Sequence, residues 1–502
     1  MNALDQRLSG DHGISPELYG VEAVRALEAS TLAVGVEGYE LMSRAAAAAL
    51  RELRARWPVA REVLVLCGGG SNGGDGYVLA RLARDAGLSS RVLATVPIDR
   101  LKGDAARAAI ECMEGGTPVE TLSAARLAGA DVIVDALLGI GLQAEVRPDL
   151  AEIIRVVNEM RVPVLSLDVP SGLCADSGEA RGRAVRASVT VTFIARKAGL
   201  WLGSGPDFAG EVVLASLGIH ATSVSPVLRL LTRSDLAAGL RPRARDAHKG
   251  RFGHVLVVGG GEGMPGAARL AGEAALRAGA GRVTAWVAPE SAVAVAAGCP
   301  ELMVRGVDAA VTAADLLESS DVLAIGPGLG RGDWGRATFA EALAAARARE
   351  VPVVLDADAL NLLAEQPQLT LPNRCVLTPH PGEAARLLGW SSAEVQRDRL
   401  RSIKELQRRY DATIVLKGAG TLVSDDIPWL CDRGTPAMAA PGMGDVLTGV
   451  VAALLGQGLS TVQAASLGVL WHALAGEAAA EGVDRGVLAG EVARCLPGVL
   501  AS

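Results

Sequence analysis

The chain has 502 residues, too many for one hydrophobic core, so two domains are the default expectation. Half of the residues are hydrophobic but only 3% are aromatic, and the 60 glycines follow no collagen period, which excludes a fibrous or disordered class. A formal net charge of −7 argues against a general polyanion binder such as a nucleic-acid protein, yet leaves small phosphorylated ligands open. The first twenty residues have neither a basic nor an apolar signal region. The longest apolar stretch, around Val446 to Leu455, is about half of what spans a bilayer, so no membrane partner is expected. Seven widely spaced cysteines without a CxxC read as reduced thiols in a cytoplasmic protein, and six scattered histidines give no zinc pattern.

From Tyr19 to about Trp57 apolar residues recur at three and four, which predicts helix. A short apolar run, Val63 to Cys67, leads into a glycine-rich turn and then an amphipathic stretch. RVLATV, ADVIVDALLG, VPVLSLDVPSG, ASVTVTFIA and GEVVLASLGI each predict a strand bounded by turns. From about Ala221 to Lys249 the rhythm breaks, and this segment reads as a domain junction, with RPRARDAHK as a solvated linker. A second alternation begins at HVLVVGG and continues through RVTAWV, DVLAIGPGLG, VPVVLDADALN, CVLTPHPGE and ATIVLKGAGTLV to a helical end. Strands alternating with helices imply parallel sheets. The expected fold is α/β, two tandem domains over residues 1–222 and 223–502, the first a Rossmann-like three-layer α/β/α sandwich.

In the first domain the informative element is Gly68-Gly69-Gly70-Ser71-Asn72-Gly73-Gly74-Asp75-Gly76, between a strand and a helix. Glycines there let backbone N–H groups approach a ligand, and the helix start favours an anion. Gly68, Gly70 and Gly73 fit GxGxxG, but the next strand ends without the acid that a dinucleotide fingerprint wants, and GK[ST] is missing. Asp135 ends ADVIVD, and Asp168 ends VPVLSLD before Val169-Pro170-Ser171-Gly172. Ligands collect beyond the carboxyl ends of parallel strands, so these ends should meet on one edge. Oxygen donors from Asn72, Asp135 and Ser171 would suit a hard cation, leaving Asp168 for acid–base work.

In the second domain the strongest signal is Pro441-Gly442-Met443-Gly444-Asp445-Val446-Leu447-Thr448-Gly449. Free N–H groups at the start of the following apolar helix can stabilise charge on a phosphoryl group in transfer. Asp445, beside those amides, is placed to accept a proton from an attacking hydroxyl.

GGGSNGGDG, VDALLGIGL and LDVPSG together resemble the N-terminal domain of the bifunctional NAD(P)H-hydrate repair enzymes, over roughly Tyr19 to Leu217. The resemblance implies epimerisation of R and S hydrates of NADH and NADPH. It also implies a potassium ion on Asn72, Asp135 and Ser171. Hydrate contacts are implied for Ser71, Asn72, Gly73, Gly74, Asp75, for Gly139, Ile140, Gly141, Leu142, and for catalytic Asp168. The family usually has Asn at Ser71, Thr at Ile140 and Glu at Ser43.

The Gly-x-Gly-Asp turn resembles the ribokinase-like superfamily, and HKGRFGHVLVVGG, GPGLG, DADALN, TPHPGE and KGAGT are similar to its ADP-dependent NAD(P)H-hydrate dehydratase branch, over roughly His248 to Leu500. The second domain is therefore expected to be ribokinase-like. Ala267, Gly328, His380 and Asp445 are implied to contact the hydrate, and Lys417, Gly418, Ala419, Gly420, Thr421 and Gly444 to hold the adenine nucleotide. ADP is implied as phosphoryl donor and magnesium as its ion, mostly held by phosphate oxygens and water. Glu383 reads as either a contact behind the metal or a surface salt bridge, and Asp356 and Asp358 as residues that fix the loop after their strand. Before Gly442 the family usually reads Gly-Asn-Pro-Gly-Met-Ala-Thr-Gly, where this chain has Gly434-Thr435-Pro436-Ala437-Met438-Ala439-Ala440-Pro441. A kinase for a small vitamin alcohol, fused to a non-catalytic nucleotide-binding scaffold, would use the same turn. The partners expected are small molecules, the hydrates and ADP, in a homo-oligomer.

Overall fold

The computed structural model describes residues 16–240, 242–306 and 312–500. Most of the segment read for a signal, residues 1–15, lies outside the described residues, as does Arg241 of the basic cluster. The chain divides between Leu228 and Arg229, a few residues beyond the expected boundary. The residues just before the cut stay with the first unit, where the Val227 amide donates to the Leu18 carbonyl at 2.8 Å. Within the predicted junction Thr232 caps a short helix, Arg233–Gly239, and Asp235 accepts a hydrogen bond from the Thr232 amide at 2.7 Å.

The first unit holds seven parallel strands: β1 (Glu62–Cys67), β2 (Ser89–Ala94), β3 (Val119–Thr121), β4 (Val132–Ala136), β5 (Val164–Leu167), β6 (Val189–Phe193) and β7 (Glu211–Ala215). They lie in the order β3-β2-β1-β4-β5-β6-β7. Alternate residues of β1 supply two cores. Val63, Val65 and Cys67 pack with residues of helices Gly38–Arg56 and Ser71–Asp85, whereas Leu64 and Leu66 pack with helix Pro148–Glu159. That two-sided burial is the three-layer sandwich the sequence predicts. The winding reverses between β1 and β4, so the crevice at their carboxyl ends lies at a topological switch point. The glycine-rich turn leaves β1 there, and Asp135 sits near the end of β4.

The second unit contains β8 (His254–Val258), β9 (Arg282–Val287), β10 (Met303–Gly306), β11 (Val322–Ile325), β12 (Val353–Leu355), β13 (Cys375–Leu377), β14 (Thr413–Leu416), β15 (Thr421–Val423) and β16 (Trp429–Cys431). Their order is β16-β15-β14-β13-β12-β11-β8-β9-β10. Pairing is parallel from β14 to β10 and antiparallel from β14 to β15 and from β15 to β16. The carboxyl ends of β8, β11, β12, β13 and β14 therefore open on one edge, where the conspicuous motifs follow. Helix Met443–Gly456 starts at Gly442, whose φ of 88° lies in the left-handed region that glycine adopts without strain. It packs against helix Pro265–Arg277 so closely that a Cβ on Gly449 would collide with the Ala271 carbonyl. Among the described residues no helix is long and apolar enough to cross a membrane.

This close approach has a measurable consequence. Gly449→Ala should lower the stability of the second unit by about 1–3 kcal/mol, because two helix backbones must separate. Chemical denaturation checks this; an unchanged midpoint would show that the helices have room to spare.

Candidate functional sites

In the first unit, most glycines of the turn serve packing. A Cβ on Gly68 would collide with the Leu137 carbonyl, on Gly73 with the Gly68 carbonyl, and on Gly74 with the Met42 side chain. Only Gly70 faces open space, so ligand access through the turn is narrower than the run of glycines suggests. Ser71 is exposed at the start of helix Ser71–Asp85. Asn72 is buried, and its Nδ2 donates to the Leu138 carbonyl at 2.9 Å. Its Oδ1 is buried without a hydrogen-bond partner.

Asp135 is fully buried. It accepts hydrogen bonds from Ser166 Oγ (2.9 Å), the Ser171 amide (2.8 Å) and Ser171 Oγ (2.5 Å). Burial pushes its carboxyl up, and these bonds pull against that rise. Ser171 Oγ also accepts from the Leu138 amide at 2.8 Å. Asn72, Asp135 and Ser171 thus converge around Leu138, as the sequence predicts. In the loop after β4, a Cβ on Gly139 would touch Asn72, while Ile140 and Leu142 pack on apolar clusters and Gly141 is exposed.

Asp168 stands at φ 66°, an uncommon conformation for a residue with a side chain. Its Oδ1 is ion-paired with Lys197 and accepts from the Phe193 amide at 3.1 Å. Lys197 is buried and also donates to the Phe193 carbonyl at 2.5 Å. Asp168 is therefore not left alone for acid–base work; it shares a proton-rich neighbour. Asp75 lies close by. Burial, then the Asp168 and Glu28 charges, hold its carboxyl well above the usual range, and Lys197 opposes them. Sequence reading missed Lys197, which sits 29 residues from Asp168 in a segment with no motif of its own.

In the second unit, Asp445 lies in the first turn of helix Met443–Gly456. Burial, followed by the Asp356 charge, raises its carboxyl to about 7, while Lys417 lowers it. Beneath the turn, a Cβ on Gly444 would lie 3.2 Å from Lys417 Nζ. Lys417 Nζ sits 2.7 Å from Asp356 Oδ1 and 3.9 Å from Glu383 Oε2. Burial alone would raise the Asp356 carboxyl, but Lys417 and a 2.7 Å bond from Thr378 hold it below its ordinary value. Asp356 therefore belongs to the site's charge network, beyond fixing a loop. Asp358 fixes a different loop from the one expected, the one after β11, because its Oδ2 accepts from the Gly330 amide at 2.9 Å.

Glu383 is buried, which excludes the surface salt bridge. It caps helix Pro381–Leu388 by accepting from the His380 amide at 2.8 Å. Burial raises its carboxyl to about 7. His380 is half-exposed, and its Nδ1 accepts from the Gly382 amide at 2.9 Å, so the neutral ring carries its proton on Nε2. Burial and then Lys417 lower its pKa. Ala267 and Gly328 adjoin, since a Cβ on Gly328 would lie 3.0 Å from Ala267 Cβ. Gly418, Ala419 and Gly420 form the turn between β14 and β15, closed by Thr421 Oγ1 donating to the Gly418 carbonyl at 2.8 Å. Arg399, which no motif marked, grips this turn from within.

The charge network predicts a stability effect. Lys417→Met leaves Asp356 buried without its cation and should cost about 3–5 kcal/mol. Adding Asp356→Asn should recover much of that loss. Denaturant unfolding of the four proteins in this cycle checks it, and additive losses would show that the pair is not coupled.

Residues 255–497 match the family model described as NAD(P)H-hydrate dehydratase, and residues 38–199 match that of the YjeF-related protein N-terminus. The bifunctional NAD(P)H-hydrate repair enzyme of Coxiella burnetii is 47% identical over 94% of this chain and 97% of its own length. Its counterpart from Escherichia coli is 42% identical over 91% of this chain and 88% of its own. Among solved structures, a ribokinase-like superfamily protein from Enterococcus faecalis superposes with a TM-score of 0.51 at 29% identity, covering 56% of this chain and 98% of the other.

Proposed function

The chain belongs to the family of bifunctional NAD(P)H-hydrate repair enzymes, and we propose that its first unit epimerises R and S hydrates of NADH and NADPH while its second dehydrates the S form at the expense of ADP. One observation carries the second assignment. Asp445, with a carboxyl raised to about 7, stands in the first turn of a helix near the part-buried cation Lys417.

Hydroxide is a poor leaving group and phosphate a much better one. Asp445 takes the proton of the C6 hydroxyl as that oxygen attacks the terminal phosphorus of ADP, and AMP leaves. The ring nitrogen then drives out phosphate with its bonding electron pair. Loss of the C5 proton restores the dihydronicotinamide. Ala267, Gly328 and His380 position the hydrate; Lys417 to Thr421 and Gly444 hold the nucleotide. Magnesium, carried mainly on phosphate oxygens and water, would neutralise charge on the phosphoryl group in transfer.

In the first unit Asp168, paired with Lys197, is the acid–base group of the epimerisation, and the turn from Ser71 to Asp75 faces the hydrate with the loop Gly139 to Leu142. The donor set suits potassium. Asn72 Oδ1 is buried and unpartnered, and Asp135 and Ser171 add oxygens beside it. When bound, the ion supplies a fixed positive charge against Asp135. Seven free cysteines support a cytoplasmic enzyme. Relatives that carry both activities in one chain favour repair over a vitamin-alcohol kinase with an inert scaffold.

Mixed NADH hydrates incubated with ADP, magnesium and potassium should recover dihydronicotinamide absorbance. Asp445→Asn should abolish recovery while epimerisation continues. Asp168→Ala should leave the R epimer stranded. If either variant repairs at the wild-type rate, its assignment is wrong. The Asp445 base form accumulates as pH rises through about 7, so kcat/KM for dehydration should climb along a limb centred there. A flat profile between pH values of about 6 and 8 would refute Asp445 as the titrating base.

A further inference from the structure

Arg399 begins helix Arg399–Tyr410 and is buried. Its Nη2 donates to the carbonyls of Leu416 (2.9 Å), Lys417 (3.2 Å) and Gly420 (3.3 Å), and its Nη1 to Gln396 Oε1 (2.7 Å). All four acceptors are neutral. A guanidinium kept in the interior on neutral oxygens is costly, and burial pulls its pKa down to about 10. Three of its four bonds go to one turn, Leu416 to Gly420.

That turn has two faces. In a trans peptide the C=O and N–H point opposite ways, so drawing the Lys417 carbonyl inward turns the Gly418 amide outward. Among the described residues, no amide of Gly418, Ala419 or Gly420 donates to a protein acceptor, and Gly418 and Ala419 are exposed. Gly418 stands at φ 138°, and a Cβ there would lie 3.2 Å from Arg399 Nη1. Lys417 is fixed at both ends, its carbonyl on Arg399 and its Nζ on Asp356.

We propose that Arg399 is the positioning residue of the nucleotide turn: it never touches the ligand, and it holds the carbonyls of Lys417 and Gly420 inward so that the free amide of Gly418 faces the adenine nucleotide. This rests on the nucleotide role given above to Lys417–Thr421.

The test uses the full-length chain with Arg399→Met and Arg399→Lys, assayed for ADP-dependent hydrate repair, with ADP binding measured by calorimetry. Arg399→Met should raise the KM and Kd for ADP about tenfold or more, while kcat and the KM for hydrate stay within about twofold. Arg399→Lys should recover part of the loss by restoring a charged donor. Should Arg399→Met fail to fold, Gly418→Ala disturbs the same turn with Arg399 in place and must raise the KM for ADP in the same way. Unchanged ADP affinity in a folded Arg399→Met, or an equal loss in kcat without a change in the KM for ADP, would overturn the proposal. A wild-type chain that binds ADP but repairs no hydrate would sink the assigned reaction and leave the Arg399 comparison readable through binding alone.

Discussion

The second site depends on one ion pair, Lys417 held against buried Asp356 under the glycine turn that starts helix Met443–Gly456. Burial works against both charges, and each is kept ionised by the other. Their pairing sets the field at Asp445. Burial and then Asp356 raise that carboxyl and Lys417 lowers it, leaving it near 7, where a carboxylate both exists at neutral pH and retains appetite for a proton. Glu383 shares Lys417 from the other side at 3.9 Å. The four groups come from the ends of β12 and β14 and the starts of two helices, so the parallel sheet is what brings them together.

The first unit solves a related problem with different parts. Its switch point between β1 and β4 brings together the glycine-rich turn, Asp135 and the Leu138–Leu142 loop. Packing claims most of the glycines, and the chemistry falls to the polar residues between and beyond them. Asn72 presents an unpaired oxygen, and the Asp168–Lys197 pair sits beside a carboxyl, Asp75, that burial pushes well above the usual range. Two tandem α/β domains thus place two chemistries on one metabolite within one chain.

Much of this was legible in the sequence wherever function follows local order. The Gly442–Asp445 turn reads directly because its amides and its carboxylate are neighbours along the chain. Asn72, Asp135 and Ser171 read together because parallel strands deliver their carboxyl ends to one edge. Three things did not read. Lys197 and Arg399 act through pairings that span 29 and 18 residues, and neither sits in a glycine turn or at a strand end that draws attention. Asp356 looked like a loop former because DADALN places it beside Asp358, which is one; only the fold shows that Lys417 reaches it. Glu383 read equally as a contact behind the metal or a surface salt bridge, because its burial and its bond to the His380 amide follow only from the fold.

In the proposed reaction, phosphorylation of the C6 alcohol, begun by Asp445, precedes departure of that oxygen. Hydrate bearing oxygen-18 at its C6 hydroxyl follows the atom itself. Turnover with ADP should deliver the label to the released inorganic phosphate, in step with AMP and NADH. Label recovered in water, with unlabelled phosphate, would mean that the hydroxyl leaves without ever accepting a phosphoryl group, and would contradict the account.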